Sequence, residues 1–577
     1  MPDTTSALRH RSTRWLACLL AAITITAACG GGGGDEGEEE AGGGTGAEDT
    51  TTTTEALGEA VRGGSIDVGL EAETNSWLPG QVAASNAGYN VLYSIYDPFM
   101  ARSDEGELKP FLAESLEPNA ELTEWTLKLR PDVVFHDGTA LDATVVKTIF
   151  DEYLKIPSAN TSGTLEDVSE VRVVDDLTVT YVLTEANAAF ADLLQGPIGM
   201  PFSVEAAAAA GENAGSEPVG TGPFVFTDWQ RDSALLVEKN PDYWMEGLPY
   251  LDSITFRPIP DEDARIQSLL AGDVDAMHTL RGSSIKQVVE AEESGGFATY
   301  LNNGNLSGVS IYNTLVPPLD DKRIRTALSH AGDPDSVAAV LGDDGLVDRT
   351  TQFYSKDSPW WSQKVEDAYP AYDPEAGKAL VEEYMADPDR SDGLPAGTAP
   401  QIQYNCPPDP SLIEVAQLIQ GQAAEVGIEV ELGQVEQAAH IANGLGSPDS
   451  DPPLKGDYVA QCWRLGSEND PYTEFKANYG PPETSIFNVT NFQSDELDAM
   501  IEELRTTADF DARYAIVEEI GLFLVDEMPQ SWGVGTPTAI GAIEGIKNLP
   551  GWTFPDGTLG AGPRTGIGRW GQVWLEQ

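Results

Sequence analysis

Apolar and polar residues alternate along Trp125-Thr-Leu-Lys-Leu-Arg130 and again along Leu177-Thr-Val-Thr-Tyr-Val-Leu183, the two-residue period of a half-buried strand. In the second segment Leu177, Val179, Tyr181 and Leu183 share one face. Asp142–Tyr153 between them reads as a helix, so residues 101–217 are expected to form an α+β unit with antiparallel strands. A first strand is expected at Ile66–Leu70. The second half of the chain has a different rhythm. A short strand at Gln401–Tyr404 is followed by Asp409-Pro410, an N-cap and first-turn pair. Leu412, Val415, Ile419, Ala423 and Val426 then share a helical face, Gly427 closes that helix, and Ile428-Glu-Val-Glu-Leu432 alternates as the next strand. This β-α-β unit predicts a parallel sheet. Asp373-Pro374 starts another helix by the same device, and Asp457–Ala460 reads as one more strand. The expected fold class is α/β, two lobes with an α+β insertion on the first.

The amino terminus departs from this pattern. Arg9, Arg11 and Arg14 precede an apolar run from Trp15 to Ala22, and small residues Thr26, Ala27 and Ala28 lead to Cys29. A basic start, a short apolar core and small residues at a cut site describe an export signal over 1–28 rather than a membrane span. The ending resembles the lipobox of bacterial lipoproteins, with Thr26 where Leu is usual. The resemblance implies that Cys29 is lipidated and becomes the new N-terminus. Two acyl chains suffice for stable anchoring to a cell membrane. Residues 29–62 are acidic and rich in Gly and Thr, a composition that makes a flexible, self-repelling tether. The Gly32/Gly34/Gly37 match to a dinucleotide fingerprint has no strand before it and no helix after it, so it carries no meaning.

Composition narrows the function classes. The 500-odd residues after the tether exceed one hydrophobic core. The net charge of −61 repels nucleic acid and anionic head groups. It reflects either a salty habitat or cationic solutes. With the signal removed and Cys29 committed to lipid, Cys406 and Cys462 remain in an oxidising compartment, as a disulfide or as two buried free thiols. The expectation taken here is the disulfide.

Ordered motifs extend over residues 63–530. They begin with Leu108-Lys-Pro-Phe-Leu-Ala-Glu-Ser115 and Arg130-Pro-Asp-Val-Val-Phe-His-Asp-Gly-Thr139. Pro218-Val-Gly-Thr-Gly-Pro-Phe224, Asn240-Pro-Asp-Tyr-Trp244, Ala271-Gly-Asp-Val-Asp275 and Pro318-Leu-Asp-Asp-Lys-Arg-Ile-Arg-Thr-Ala-Leu328 follow. Together they resemble the extracytoplasmic solute-binding proteins of family 5, the peptide- and nickel-type receptors of ABC importers. The resemblance implies a two-lobed clamp with an extra subdomain on the first lobe. Lobe I would comprise 63–310 and 534–577, including the 101–217 insertion, and lobe II 311–533. Solute would bind between the lobes, and hinge closure would present a distinct shape to the permease. Within the motifs, Gly138 and Gly222 fit turns that need backbone freedom, and His136 reads as scaffold rather than metal ligand.

Receptors of this type often meet a peptide's amino terminus with a carboxylate three residues after the tryptophan matching Trp463. Here that position is Gly466, with Glu468 and Asp470 nearby. Glu468 either takes over the role or is a solvated loop residue. Asp470 is a further candidate, or it stabilises its own turn before Pro471. Asn75 and Trp77 after the first strand, Tyr404, Asn405 and Trp463 at second-lobe strand ends, and Trp532 at the return crossover complete the expected ligand-binding set. Trp360 and Trp361 either cap the cleft or pack on the surface. No cofactor and no metal site are expected: the five histidines are scattered, without His-x-His or Cys/His spacing. The enzyme class lacks a Gly-x-Ser-x-Gly elbow, a His-Glu-x-x-His helix and a Walker A loop. The expected function is therefore a lipid-anchored, monomeric receptor passing an oligopeptide to an ABC permease. Oligosaccharide, nickel chelate and extracellular hydrolysis are the alternatives.

Overall fold

The computed structural model describes residues 59–576, apart from 83–84, 154–164, 166, 303–305, 343–344, 347, 446–455, 457, 467–469, 483–484, 486, 564–565 and the side chains of 437–438. The signal segment, Cys29, most of the tether, Asp457 and Glu468 lie outside the described residues.

Ser65–Leu70, the predicted first strand, is central to a seven-stranded sheet. It pairs in parallel with Ser253–Pro258 on one side and Ala276–Thr279 on the other. Its burial follows from its neighbours, since Ile66 and Val68 are each 1% exposed within one continuous apolar core. The predicted insertion is a four-stranded antiparallel sheet, Ala113–Pro118, Glu124–Leu129, Thr178–Leu183 and Val168–Asp175, with helix Ala143–Tyr153 against it. Val179, Tyr181 and Leu183 are buried as the alternation requires.

The second sheet has five strands in the order Glu429–Gln434, Gln401–Cys406, Ala460–Gly466, Leu306–Tyr312 and Gln530–Gly535. The first three run parallel, as the β-α-β pattern implies. Helix Pro410–Glu425 crosses between two of them, with Pro410 at its start. Asp409 Oδ1 accepts from the backbone N–H of Ser411 and Leu412, satisfying donors that the first turn leaves open. Val415, Ala416 and Ala423 point inward from it. One expectation shifts. The strand read at Asp457–Ala460 begins at Ala460 and runs to Gly466, which places Cys462 and Trp463 inside it. Tyr458 stands ahead of the strand: it is buried, with its hydroxyl donating to the Val489 carbonyl.

The chain crosses between the sheets twice, side by side. Phe297–Asn302 pairs antiparallel with Thr538–Ile543 in the first sheet, and Leu306–Tyr312 pairs antiparallel with Gln530–Gly535 in the second. Thr536 N–H donates to Leu306 O at 2.8 Å between the two pairings. Both inner strands belong wholly to the second sheet, so the crossovers fall before Leu306 and after Gly535. The expected boundaries at 310/311 and 533/534 cut through those strands.

Two motif glycines serve different ends. Gly138 has φ +83° in the turn after Phe135, where a side chain would be strained. Gly222 has no positive φ. It is required because a Cβ there would sit 2.5 Å from the Ile95 carbonyl carbon, a close approach rather than a turn. His136 joins the two motifs. Its Nδ1 accepts from Gly220 N–H at 3.3 Å and its Nε2 lies 3.0 Å from Gly222 O. Burial pushes its pKa down to about 4, which keeps the ring neutral for both bonds.

Candidate functional site

In open α/β sheets, ligands bind beyond the carboxyl ends of the strands. Here those ends face one another. Arg281 follows strand Ala276–Thr279 in the first lobe, and Asp409 follows strand Gln401–Cys406 in the second. Across the gap Arg281 Nη2 meets Asp409 Oδ2 at 2.6 Å and Nη1 donates to Ser411 Oγ at 3.0 Å. Asp409 thus caps its own helix with one oxygen and joins the lobes with the other.

A second junction lies at the insertion subdomain. The 3-10 turn Phe190–Gln195 carries Asp192, which is paired with Arg102 and accepts from Gln195 Nε2 at 2.7 Å. From the other lobe Asp470 donates its backbone N–H to Asp192 Oδ2 at 2.7 Å. Asp470 is the N-cap of helix Pro471–Tyr479, accepting from Tyr472 N–H, and its carboxylate pairs with Arg513. Burial raises the Asp192 pKa to about 6, against the opposing pull of Arg102. Nearby, Ala188 N–H donates to Arg505 O at 2.8 Å, and Arg505 reaches Glu185 at 3.0 Å. The lobes therefore touch on both sides of the cleft.

Trp463 and Trp532 come together. Both pair with Val309 from opposite sides, so they stand on one face of the second sheet, half-buried. Trp463 lies 5.7 Å from the His440 ring and Trp532 lies 6.0 Å from Phe353. Asn405 is 5% exposed, and its Oδ1 has no hydrogen-bond partner among the described residues. Tyr404 is 2% exposed and shares a hydrogen bond of 2.8 Å with Ser310 Oγ, which ties two strands together. Trp77 is 1% exposed in the first-lobe core, edge-on to Trp229 at 5.6 Å. Asn75 beside it is exposed, its carbonyl accepting from Arg231. Gly466 ends its strand opposite Leu306 and supplies no carboxylate. Cys406 and Cys462 lie one register step beyond the pair Asn405–Gln461 with their Cα atoms 5.4 Å apart, within disulfide range.

Arg281, Asp192, Arg102 and Arg513 were not anticipated from the sequence. Only Asp192 carried a signal, a single charge inside the apolar run Phe190-Ala-Asp-Leu-Leu194.

Two α/β lobes, crossed twice by the chain and meeting at their strand ends, define a hinged solute receptor. The family model for bacterial extracellular solute-binding proteins, family 5 (middle), matches residues 107–483. The glutathione-binding protein GsiB of Pectobacterium atrosepticum is 25% identical over 439 residues, covering 74% of this chain and 80% of that protein. Helicobacter pylori DppA in complex with the peptide STSA superposes with TM-score 0.73 at 20% identity, covering 90% of this chain and 99% of that one. NikA of Brucella suis with Fe(III)-EDTA gives TM-score 0.73 at 21% identity, covering 89% and 100%. The chain belongs to the family 5 extracellular solute-binding proteins. It is an extracytoplasmic solute receptor of an ABC importer and not an enzyme.

Proposed function

We propose that this receptor captures an oligopeptide between its lobes and delivers it to the permease while held to the membrane by lipid on Cys29. The observation that carries the reading is the facing of the two sets of strand ends, with Trp463 and Trp532 half-buried on one face of the second sheet. Half-buried aromatic rings contribute large contact area at low entropy cost. Backbone donors and acceptors at strand ends match an extended chain. Gly466 removes the usual carboxylate and leaves Glu468 as the residue to meet the peptide's amino terminus. The same tryptophans favour an oligosaccharide as the second reading.

Mass spectrometry of small molecules released on denaturing the purified protein tests this. A ladder of peptides is the expected result, and a released oligosaccharide or metal chelate would overturn it. Substituting Cys29→Ser should move the protein from the membrane fraction to the medium. A Cys406–Cys462 disulfide is part of the proposal: alkylation before and after reduction should differ by two modified thiols. Equal labelling would leave two free cysteines.

A further inference from the structure

Between strand Thr178–Leu183 and the 3-10 turn Phe190–Gln195 the chain reads Glu185-Ala-Asn-Ala-Ala189. The segment belongs to the insertion, yet its residues divide between the lobes. Asn187 is buried and holds to the insertion. Its N–H donates to Leu122 O at 3.0 Å, and its carbonyl accepts from Trp125 Nε1 at 3.2 Å. Its Oδ1 accepts from Ala189 N–H at 2.9 Å, which fixes the bend. Phe190, also buried, sets its ring against Tyr181 at 5.1 Å and Trp125 at 5.8 Å.

The neighbouring residues engage the second lobe. Helix Asp495–Thr506 leaves the Arg505 carbonyl without an intrahelical donor, and Ala188 N–H fills it at 2.8 Å. The Arg505 guanidinium returns a hydrogen bond to Ala186 O. Asp470 N–H stands at the start of helix Pro471–Tyr479, and Asp192 Oδ2 accepts it, a carboxylate at the positive end of a helix. Ala189 is 3% exposed, inside an apolar cluster whose other buried residues, among those described, all belong to the second lobe. The insertion thus supplies a donor to one helix end, an acceptor to another and a methyl group to the core beside them.

We infer that Glu185–Asp192 is a clasp through which the insertion subdomain locks the closed clamp and slows release of the solute. The inference rests on the receptor reading and gives the insertion a part in it. Anchored by Asn187 and Phe190, the segment moves with the first lobe. A swing at the crossovers therefore withdraws all three groups together. Opening hands both helix ends back to water and uncovers the apolar seat of Ala189, a cost that the closed form does not bear. None of these groups has to touch the solute, so the clasp acts on retention whatever the solute's chemistry.

Hydrogen exchange resolved to single amides, on the purified full chain, tests the clasp. Ala189→Glu obliges the closed form to bury a charge in an apolar core, whereas the open form leaves that charge in water. Protection of the Ala188 and Asp470 amides should fall at least about tenfold. Protection of the Asn187 amide, bonded within the insertion, should not change. Arg505→Met leaves the segment's own sequence intact, which covers the case in which the new glutamate unfolds it, and should loosen Ala188 by a smaller factor. The Ala189→Glu protein should also carry less co-purified small molecule than the wild type. Undiminished protection of both amides in Ala189→Glu, or of Ala188 in Arg505→Met, would overturn the clasp. Equal loads of small molecule in wild type and Ala189→Glu would overturn its hold on the solute. The exchange readout needs no solute, so a wild type that releases nothing counts against the receptor reading alone.

Discussion

At one edge of the cleft Arg281 meets Asp409 with both side chains in contact with water, 42% and 29% exposed. At the other, Asp192 is 4% exposed, and its oxygens are shared among Arg102, Gln195 and the backbone of Asp470. Both junctions hold the same two lobes, yet they obey different rules. An exposed pair exchanges water for a partner at nearly equal free energy and contributes about 0–1 kcal/mol. A buried carboxylate has given up its hydration, so every acceptor position must be filled by the protein. The exposed junction tolerates partial closure; the buried one is complete only when the lobes are fully apposed.

The largest effect expected is from Asp192→Ala. It leaves Arg102, Gln195 and the Asp470 N–H without their acceptor, at a cost of about 3 kcal/mol to the solute-bound, closed form. Urea unfolding with and without saturating solute measures it, and a loss below about 1 kcal/mol would erase the contrast between the edges. The next effect is on pH. The Asp192 pKa is pushed up to about 6 by burial in the closed form, above an ordinary carboxylate value of 3.8. Closing therefore takes up a proton as pH falls through 6. The resulting stabilisation is fully present near pH 4 and is lost as pH rises through 6. Solute affinity should be higher at pH 5 than at pH 7 in the wild type. The dependence should flatten in Asp192→Asn; an unchanged slope in that variant would assign it to another group. A smaller effect belongs to the exposed edge. Asp409→Asn keeps the helix cap but loses the charge, and affinity should fall less than about fivefold. Raising salt should weaken the wild type by a similar factor and Asp409→Asn hardly at all. Equal salt sensitivity in the two proteins would mean that this pair carries no load.

The elements were legible because local rules determine them. Asp409 and Asp373 cap their helices as their Asp-Pro pairs indicate, and Asp321 caps the helix Lys322–Ala331. The alternation in Trp125–Arg130 and Leu177–Leu183 produced the insertion sheet. The site was less legible. Trp77 and Tyr404 read as ligand-facing because they stand at strand ends, but their exposure depends on what packs over them. Trp229 covers the first and Ser310 engages the second. Asp470 and Asp192 are 278 positions apart, and no periodicity connects them. Long-range apposition has no local signature.

The paired crossovers carry a mechanical consequence. Strand pairing on each side of the Leu306–Thr536 contact makes the described parts of the two crossings a paired ribbon. Such a ribbon flexes out of its plane and resists sliding within it, since sliding would break its cross-strand hydrogen bonds together. A link paired in this way favours a swing of the lobes over sliding of one past the other. Under the proposed function, solute occupancy reaches the permease as a change of angle between the lobes.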